Sequence, residues 1–534
     1  MINPNLSPMF ISNRKTPGVY VNNVSAFQNT VVPVATAVPA FVGYTPQASY
    51  QGNSYLNIPQ KITSFADFQS IYCLPQDPAA ASPVKQYNPQ YYLVQQKSKP
   101  AGNDYMVIDN CYYSFLPDPN TIYYLYNSIR LFYRNGGGDA YIVSVGAYAA
   151  PSGNPARPDE QIVNPNVQLN DLLNGISLLK AEQEPTMYIC PDATLLPVAD
   201  NGLLMQAMLL QCSEMQTAIS IFDIIGGKSP DPVLFNNDID TFRTNTGTTG
   251  LDYGTAYYPF VGTTIMQDGE INYTNLFGGD IKQLALLLNP ADNPNPAAAS
   301  VINSISTAEA PALTAQQYSS ALSTASSVYA LIINNILNLA NILPPSGAIA
   351  GIITTVDAMG GVWQAPANTS VTGAVSLPLT LSDSQQAGLN MDAVSGKSIN
   401  AIRCFSGIGI LVWGARTLDG NSDDWKYLPV RRTVTMIEQS CKAAMRAYVF
   451  QPNTQNTWVA LTAAIGNFLT MIWKEGGLMG ATASNAFSVN CGLGTTMTAD
   501  DLLDSFMNVV IKIAIVRPGE FIVLTLQQQM ATAG

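Results

Sequence analysis

The chain has 534 residues, of which 11% are charged and 47% hydrophobic; an average soluble domain is roughly a quarter charged. That balance excludes disorder, supports two to four domains and leaves a largely neutral surface, as suits a subunit surrounded by copies of itself. The net charge of −12 argues against nucleic acid as a partner. The absence of histidine removes Ser-His-Asp and Cys-His catalysis, the usual general base and most transition-metal sites.

The seven cysteines are scattered and form no C-x-x-C, so they read as free, mostly buried thiols in a reducing compartment. The opening M-I-N-P-N-L-S-P-M-F-I-S-N-R-K lacks the charged-then-apolar order of a secretion signal. The most apolar helical window, 331–343, is broken by Asn334, Asn335, Asn338 and Asn341. These features lead us to expect cytoplasmic synthesis, no membrane insertion and no cofactor.

In chain order, 1–16 reads as an arm and T-P-G-V-Y-V-N-N-V (16–24) as a short strand after a Pro-Gly turn. A second strand covers 40–44. Residues 46–120, rich in Tyr, Pro, Gln and Ser, read as an insertion of short strands and loops. Apolar positions Ile122, Leu125, Tyr126, Ile129, Phe132 and Tyr133 predict a helix that ends at Asn135-Gly136-Gly137-Gly138. That N-G-G-G is followed by neither a helix nor G-K-[ST], so it is a helix cap and not a phosphate loop. Strands over 140–145, 186–190 and 217–224 alternate with helices over 169–181 and 201–215, an α/β layer. Asp192 and Asp223 fall at strand ends, where α/β enzymes place catalytic groups; without a partner base or metal set they read as turn residues.

Residues 289–298 look like a linker, and 312–342 like one or two helices stopped by Pro344-Pro345-Ser346-Gly347. The stretch 400–416 is a buried strand between glycines, with no catalytic signature. A helix over 431–450 places Val434, Ile437, Cys441, Ala444, Met445 and Tyr448 on one face and Arg432, Gln439, Lys442 and Arg446 elsewhere. A second helix carries Trp458, Leu461, Ile465, Phe468, Leu469 and Ile472 on one stripe and ends near Gly476-Gly477. Strands follow at 487–491, 509–516 and, after Arg517-Pro518-Gly519, at 521–527. Residues 401–450 hold seven basic side chains against four acidic ones, a local basic excess that could orient an acidic partner.

Several stretches then line up in order: T-P-G-V-Y-V (16–21), L-F-Y-R-N-G-G-G-D-A-Y-I-V-S-V (131–145), C-S-E-M-Q-T-A-I-S-I-F-D (212–223) and G-T-A-Y-Y-P-F (254–260). After them come P-P-S-G-A-I-A-G-I-I-T-T-V-D-A-M-G-G-V-W-Q-A-P-A-N (344–368), W-G-A-R-T-L (413–418), V-R-R (430–432), V-F-Q-P-N (449–453) and R-P-G-E-F-I (517–522). In this order the chain resembles the phage tail sheath family, which includes the sheaths of contractile injection systems. Residues 46–118 and 265–330 carry no resemblance. Gly360 stands where the family commonly has Arg, and Gln451 where it has an acidic residue, so local ion pairs are not carried over.

The resemblance implies a mixed α/β (α+β) multi-domain sheath subunit. Its parts would be a linking arm (1–28), a strand leading into the core (29–45), an outer insertion (46–118) and an α/β middle domain (119–264). A second variable segment (265–330), the completion of the middle domain (331–400), an inner tube-facing domain (401–518) and a C-terminal linking arm (519–534) would follow. It implies a six-stranded helical polymer that contracts around an inner tube to drive it through a target envelope, with baseplate and terminal cap proteins as further partners and no direct nucleic-acid contact. Terminal strands would exchange between subunits through Val19, Tyr20 and Val21 and through Phe521, Ile522, Val523, Leu524 and Leu526. Lys442 and Arg446 would face the tube. The product would be part of a tail or injection particle and not an enzyme. Two alternatives stand beside it: a carboxylate-dependent α/β enzyme using residues such as Glu214, Asp223 and Asp357, or another self-assembling shell protein.

Overall fold

The computed structural model describes residues 31–77, 83–100, 105–158, 160–307 and 313–521. Its centre is a nine-stranded sheet of β1 (Pro39–Thr45), β2 (Gln60–Ile62), β3 (Ala140–Ala147), β4 (Met187–Ile189), β5 (Ile219–Asp223), β6 (Gly254–Tyr258), β7 (Thr369–Ser370), β8 (Asn400–Phe405) and β9 (Gly409–Trp413). The strand order is β7-β9-β8-β6-β5-β4-β1-β3-β2. The six strands from β8 to β3 run parallel, and β9, β7 and β2 add antiparallel edges. β1, P-A-F-V-G-Y-T, is buried at every position because helices cover both faces of the sheet.

Helices α1 (Phe65–Tyr72), α2 (Leu125–Arg134), α3 (Leu169–Leu178), α4 (Val198–Met215) and α5 (Asn236–Asn245) alternate with these strands. Successive side chains of β1 point to opposite faces. Phe41 meets Phe132 of α2 edge-on, while Val42 lies under Gly175 of α3. Helices α6 (Ile281–Leu288), α7 (Pro296–Thr307), α8 (Ala315–Ala325) and α9 (Ser327–Ala340) pack one on the next. Pro344-Pro345-Ser346-Gly347, expected to stop a helix, follows the end of α9 at Ala340 and also opens α10 (Ser346–Gly360). α10 lies directly on α2: a Cβ added to Gly347 would sit 2.3 Å from the Ser128 carbonyl oxygen, and one on Gly351 2.5 Å from that of Phe132. Glycine spaced four apart lets the two backbones approach this closely, which is why G-A-I-A-G stands here. The N-G-G-G stretch is the cap of α2, with Asn135 at the terminus and Gly136 at φ +89°.

After α11 (Asp383–Asn390) and the β8–β9 hairpin comes α12 (Leu428–Met445). A second, smaller core forms from its C-terminal half, α13 (Gln455–Lys474) and the hairpin β10 (Phe487–Asn490) and β11 (Val510–Ile513). Ile437, Cys441, Leu461, Ile465, Phe468 and Ile472 are buried there, so the two expected helical stripes do pack together. Two boundaries differ from the expected ones. Ile402, Ile410, Val412, Leu418 and Leu428 belong to the first core, so the seam between the cores falls inside α12 and not at 401. Residues 60–72, expected in an outer insertion, form β2 and α1, with Ile62, Phe68 and Tyr72 essentially inaccessible in the first core. Residues 91–96, 105–108 and 111–117 make a separate three-stranded antiparallel sheet. Among the described residues no helix is long and apolar enough to cross a membrane.

Candidate assembly surfaces

The carboxyl ends of β1 and β4 mark the point where the sheet's strand order reverses, the place where open α/β sheets bind ligands. Here it is filled by the protein itself. Asp192, just past β4, is fully buried; its Oδ1 accepts from the backbone N–H of Tyr124 (2.7 Å) and Leu125 (3.3 Å), and its Oδ2 from that of Tyr44 (2.9 Å). The carboxylate therefore caps α2. Asp223, ending β5, does the same for α10: Oδ1 accepts from Ser346 N–H at 2.9 Å and Oδ2 from Ser346 Oγ at 2.5 Å. Burial pushes Asp192 up to about 6 and Asp223 up to about 7, against the opposing pull of those hydrogen bonds. The other two carboxylates of the enzymatic alternative are also engaged, Glu214 with Lys180 at the surface and Asp357 with Arg432 in the interior. Both strand-end residues thus act as anchors for helices, in line with their reading as turn residues.

Of the basic side chains in 401–450, Arg416, Arg431 and Arg432 are buried, Arg403 and Lys426 are half-buried, and Lys442 and Arg446 are exposed. Arg403 pairs with Asp383 (2.8 Å) and Lys426 lies 3.8 Å from Asp423. Arg431 lies between the rings of Trp425 and Tyr253, 4.2 and 4.7 Å from their centroids, and reaches Asp252 and Glu438. Arg432, expected off the buried face, is itself buried. It makes a bidentate pair with Asp357 of α10 (2.9 and 2.6 Å) and donates to the Thr36 carbonyl at 2.8 Å. Thr36 Oγ1 donates to the same Asp357 at 2.6 Å, and Val34 N–H to Ser440 Oγ of α12 at 3.0 Å. Residues 31–38 are thereby tied across both cores, with Val31 buried in the second.

Arg416 forms the matching anchor near the other end. Its Nε donates to Glu520 Oε1 (2.9 Å) and its Nη2 to Oε2 (2.6 Å), while Asn390 Nδ2 and Tyr427 OH donate to the same carboxylate. Asp357, Arg416, Arg432 and Glu520 all lie within the stretches that carry the family resemblance, yet periodicity could not pair them. Their partners are 75 and 104 residues away.

Lys442 and Arg446 remain exposed at the end of α12, where Arg446 donates to Gln183 Oε1 at 3.0 Å. They line a groove of about 360 Å³ between α12, residues 34–36 and the amino ends of β4 and β5. A second groove, about 390 Å³, runs between α12 and β11 and is walled by Val430, Val434, Ile437, Ile511, Ile513 and Ile515. The β10–β11 hairpin beside it is two-stranded among the described residues. Of the expected exchange residues, Val19, Tyr20, Val21, Ile522, Val523, Leu524 and Leu526 lie outside the described residues; Phe521 is the last described and is exposed. All seven cysteines are free; Cys73, Cys190, Cys212 and Cys441 are buried and Cys404 is exposed.

Residues 421–529 match the phage tail sheath C-terminal domain, the segment that builds the second core. No curated protein matches the chain. Among solved structures, the sheath complex of an extracellular contractile injection system (PVC) in its contracted state is 22% identical at a TM-score of 0.56, covering 97% of this chain and 98% of that one. The helical sheath of the anti-feeding prophage in its contracted state is 23% identical at 0.56, covering 97% and 100%. The anti-feeding prophage baseplate in its contracted state contains a chain 20% identical at 0.58, with 100% of both covered. The protein thus carries a phage tail sheath C-terminal domain and, along nearly its whole length, the fold of contractile sheath proteins.

Proposed function

We propose that this chain is the subunit of a contractile sheath. Copies polymerise as a six-stranded helical tube around an inner tube, and the polymer shortens to drive that tube through a target envelope. The observation that carries the proposal is the match of 421–529 to a sheath domain, set within a fold shared with sheath proteins from end to end. The organisation of the described residues supports it. No step of contraction asks for a bound nucleotide, and the strand-end crevice that would hold one is occupied by Asp192. The free energy would come from new contacts between copies in the shortened lattice, a packing switch.

In this proposal the terminal segments, with Val19–Val21 at one end and Phe521–Leu526 at the other, add strands to a neighbouring copy. The receiving surface is the β10–β11 hairpin, whose short sheet has room for further strands beside the apolar groove along α12. Lys442 and Arg446 face the inner tube, and baseplate and cap proteins close the two ends. Apart from 60–72, which belongs to the first core, the variable segments 46–118 and 265–330 face outward, where length can vary without breaking the lattice.

Negative-stain microscopy of the chain co-expressed with its inner tube protein tests this. Striated tubes with a filled or hollow lumen are expected. A monodisperse monomer that hydrolyses a substrate would overturn the proposal in favour of the enzymatic alternative.

A further inference from the structure

We infer that Arg416 and Glu520 form a pivot that sets the bearing of the chain's C-terminal end, and so act as positioning residues for assembly; the inference rests on the sheath proposal. The polypeptide leaves β11 in the second unit and meets the first again at Glu520. Past Val516, whose N–H donates to the Gly477 carbonyl at 3.4 Å, little else holds 517–521: a Cβ on Gly519 would meet nothing within 4 Å, Arg517 is exposed with Asp424 at 3.6 Å, and Phe521 is exposed. Glu520 is the exception. Its carboxylate receives donors from three separate places: Arg416 after β9, Asn390 at the end of α11 (2.9 Å) and Tyr427 just before α12 (3.1 Å).

The chemistry of the anchor points to orientation. A guanidinium and a carboxylate meeting through two parallel hydrogen bonds fix a plane as well as a position, whereas an apolar side chain in a pocket fixes only a position. The Arg416 side chain is 5% exposed and that of Glu520 21%. Burial alone would raise Glu520, but the bonds from Arg416 and Asn390 and the Arg416 charge outweigh it and hold the carboxylate below its usual range. A buried pair of this kind adds little net stability over a well-packed apolar pair of the same volume, because desolvation offsets the attraction. What it adds is geometry. A Pro-Gly step before the anchor and an exposed aromatic after it make Glu520 the last firmly held point among the described residues. That point is held by Arg416, Asn390 and Tyr427.

The test is the paired replacement R416M/E520M in the full chain, co-expressed with the inner tube protein. The unassembled variant should keep its thermal midpoint to within a few degrees (about 3 °C), while ordered tubes should fall at least about tenfold in negative stain. Ordered tubes at wild-type frequency would overturn the pivot. If the double variant does not accumulate as folded protein, E520Q is read by hydrogen exchange on the unassembled chain. The backbone amides within 517–521 should exchange at least about tenfold faster, with protection elsewhere unchanged; unchanged protection at 517–521 overturns the inference. Failure of the wild-type chain to form tubes sinks the sheath proposal and leaves the exchange experiment to decide the pivot alone.

Discussion

Replacing Asp357 by Asn is the sharpest single perturbation of the seam between the two cores. The Arg432 and Asp357 side chains are 4% and 6% exposed, and the pair carries two direct bonds plus the Thr36 hydroxyl and carbonyl. Asparagine has nearly the same shape, but it turns an amide N–H toward the guanidinium and leaves a buried cation without a counter-charge. Breaking a buried pair from one side costs about 3–5 kcal/mol, whereas replacing both partners by apolar residues of similar volume is often close to neutral. D357N should therefore destabilise the unassembled subunit by about 3 kcal/mol or more, and R432M/D357L should recover most of that loss. Urea unfolding followed by tryptophan fluorescence measures both. A loss below about 1 kcal/mol for D357N, or a double variant no better than the single one, would refute the assignment of the seam to this pair.

Asp192 and Asp223 make stability pH-dependent in a stated direction. Each has a folded pKa above the unfolded value of about 3.9, near 6 and 7 respectively. The folded state therefore holds its protons more tightly. This contribution is complete below pH 4 and is lost as pH rises through 6 and 7, with a slope of about 1.4 kcal/mol per pH unit for each group over that interval. D223N should flatten the fall in unfolding free energy between pH 4 and 7; an unchanged slope counts against the buried cap. Gly347→Val drives a side chain into the Ser128 carbonyl of α2, so a loss of about 3 kcal/mol is expected, read as a lowered denaturation midpoint. K442E/R446E should leave unfolding within about 0.5 kcal/mol of wild type while abolishing co-sedimentation with the inner tube protein; retained co-sedimentation removes these residues from the tube face.

Much of this fold is written locally. Apolar spacing and the Asn-Gly-Gly-Gly cap define α2, a continuous apolar run defines β1, and the stripe from Trp458 to Ile472 defines α13, because helix and strand periods depend only on near neighbours in sequence. The order of the family stretches pointed to a sheath before any contact was known. The location of the seam and the identity of the anchors depend on what each element packs against. Helical spacing sets Arg432 apart from the apolar stripe of its own helix, yet residues 428–437 of α12 are all buried, because that part of the helix lies where the two cores meet. A helix enclosed on every side has no free polar face, so its arginines must find acids: Arg432 finds Asp357 of α10, and Arg431 finds Asp252, ahead of β6, and Glu438 of its own helix. The sequence by itself determined most of the elements and pointed to the sheath fold. Only the tertiary structure decided which charges pair, since those pairings span 75 and 104 residues and are set by how distant elements pack.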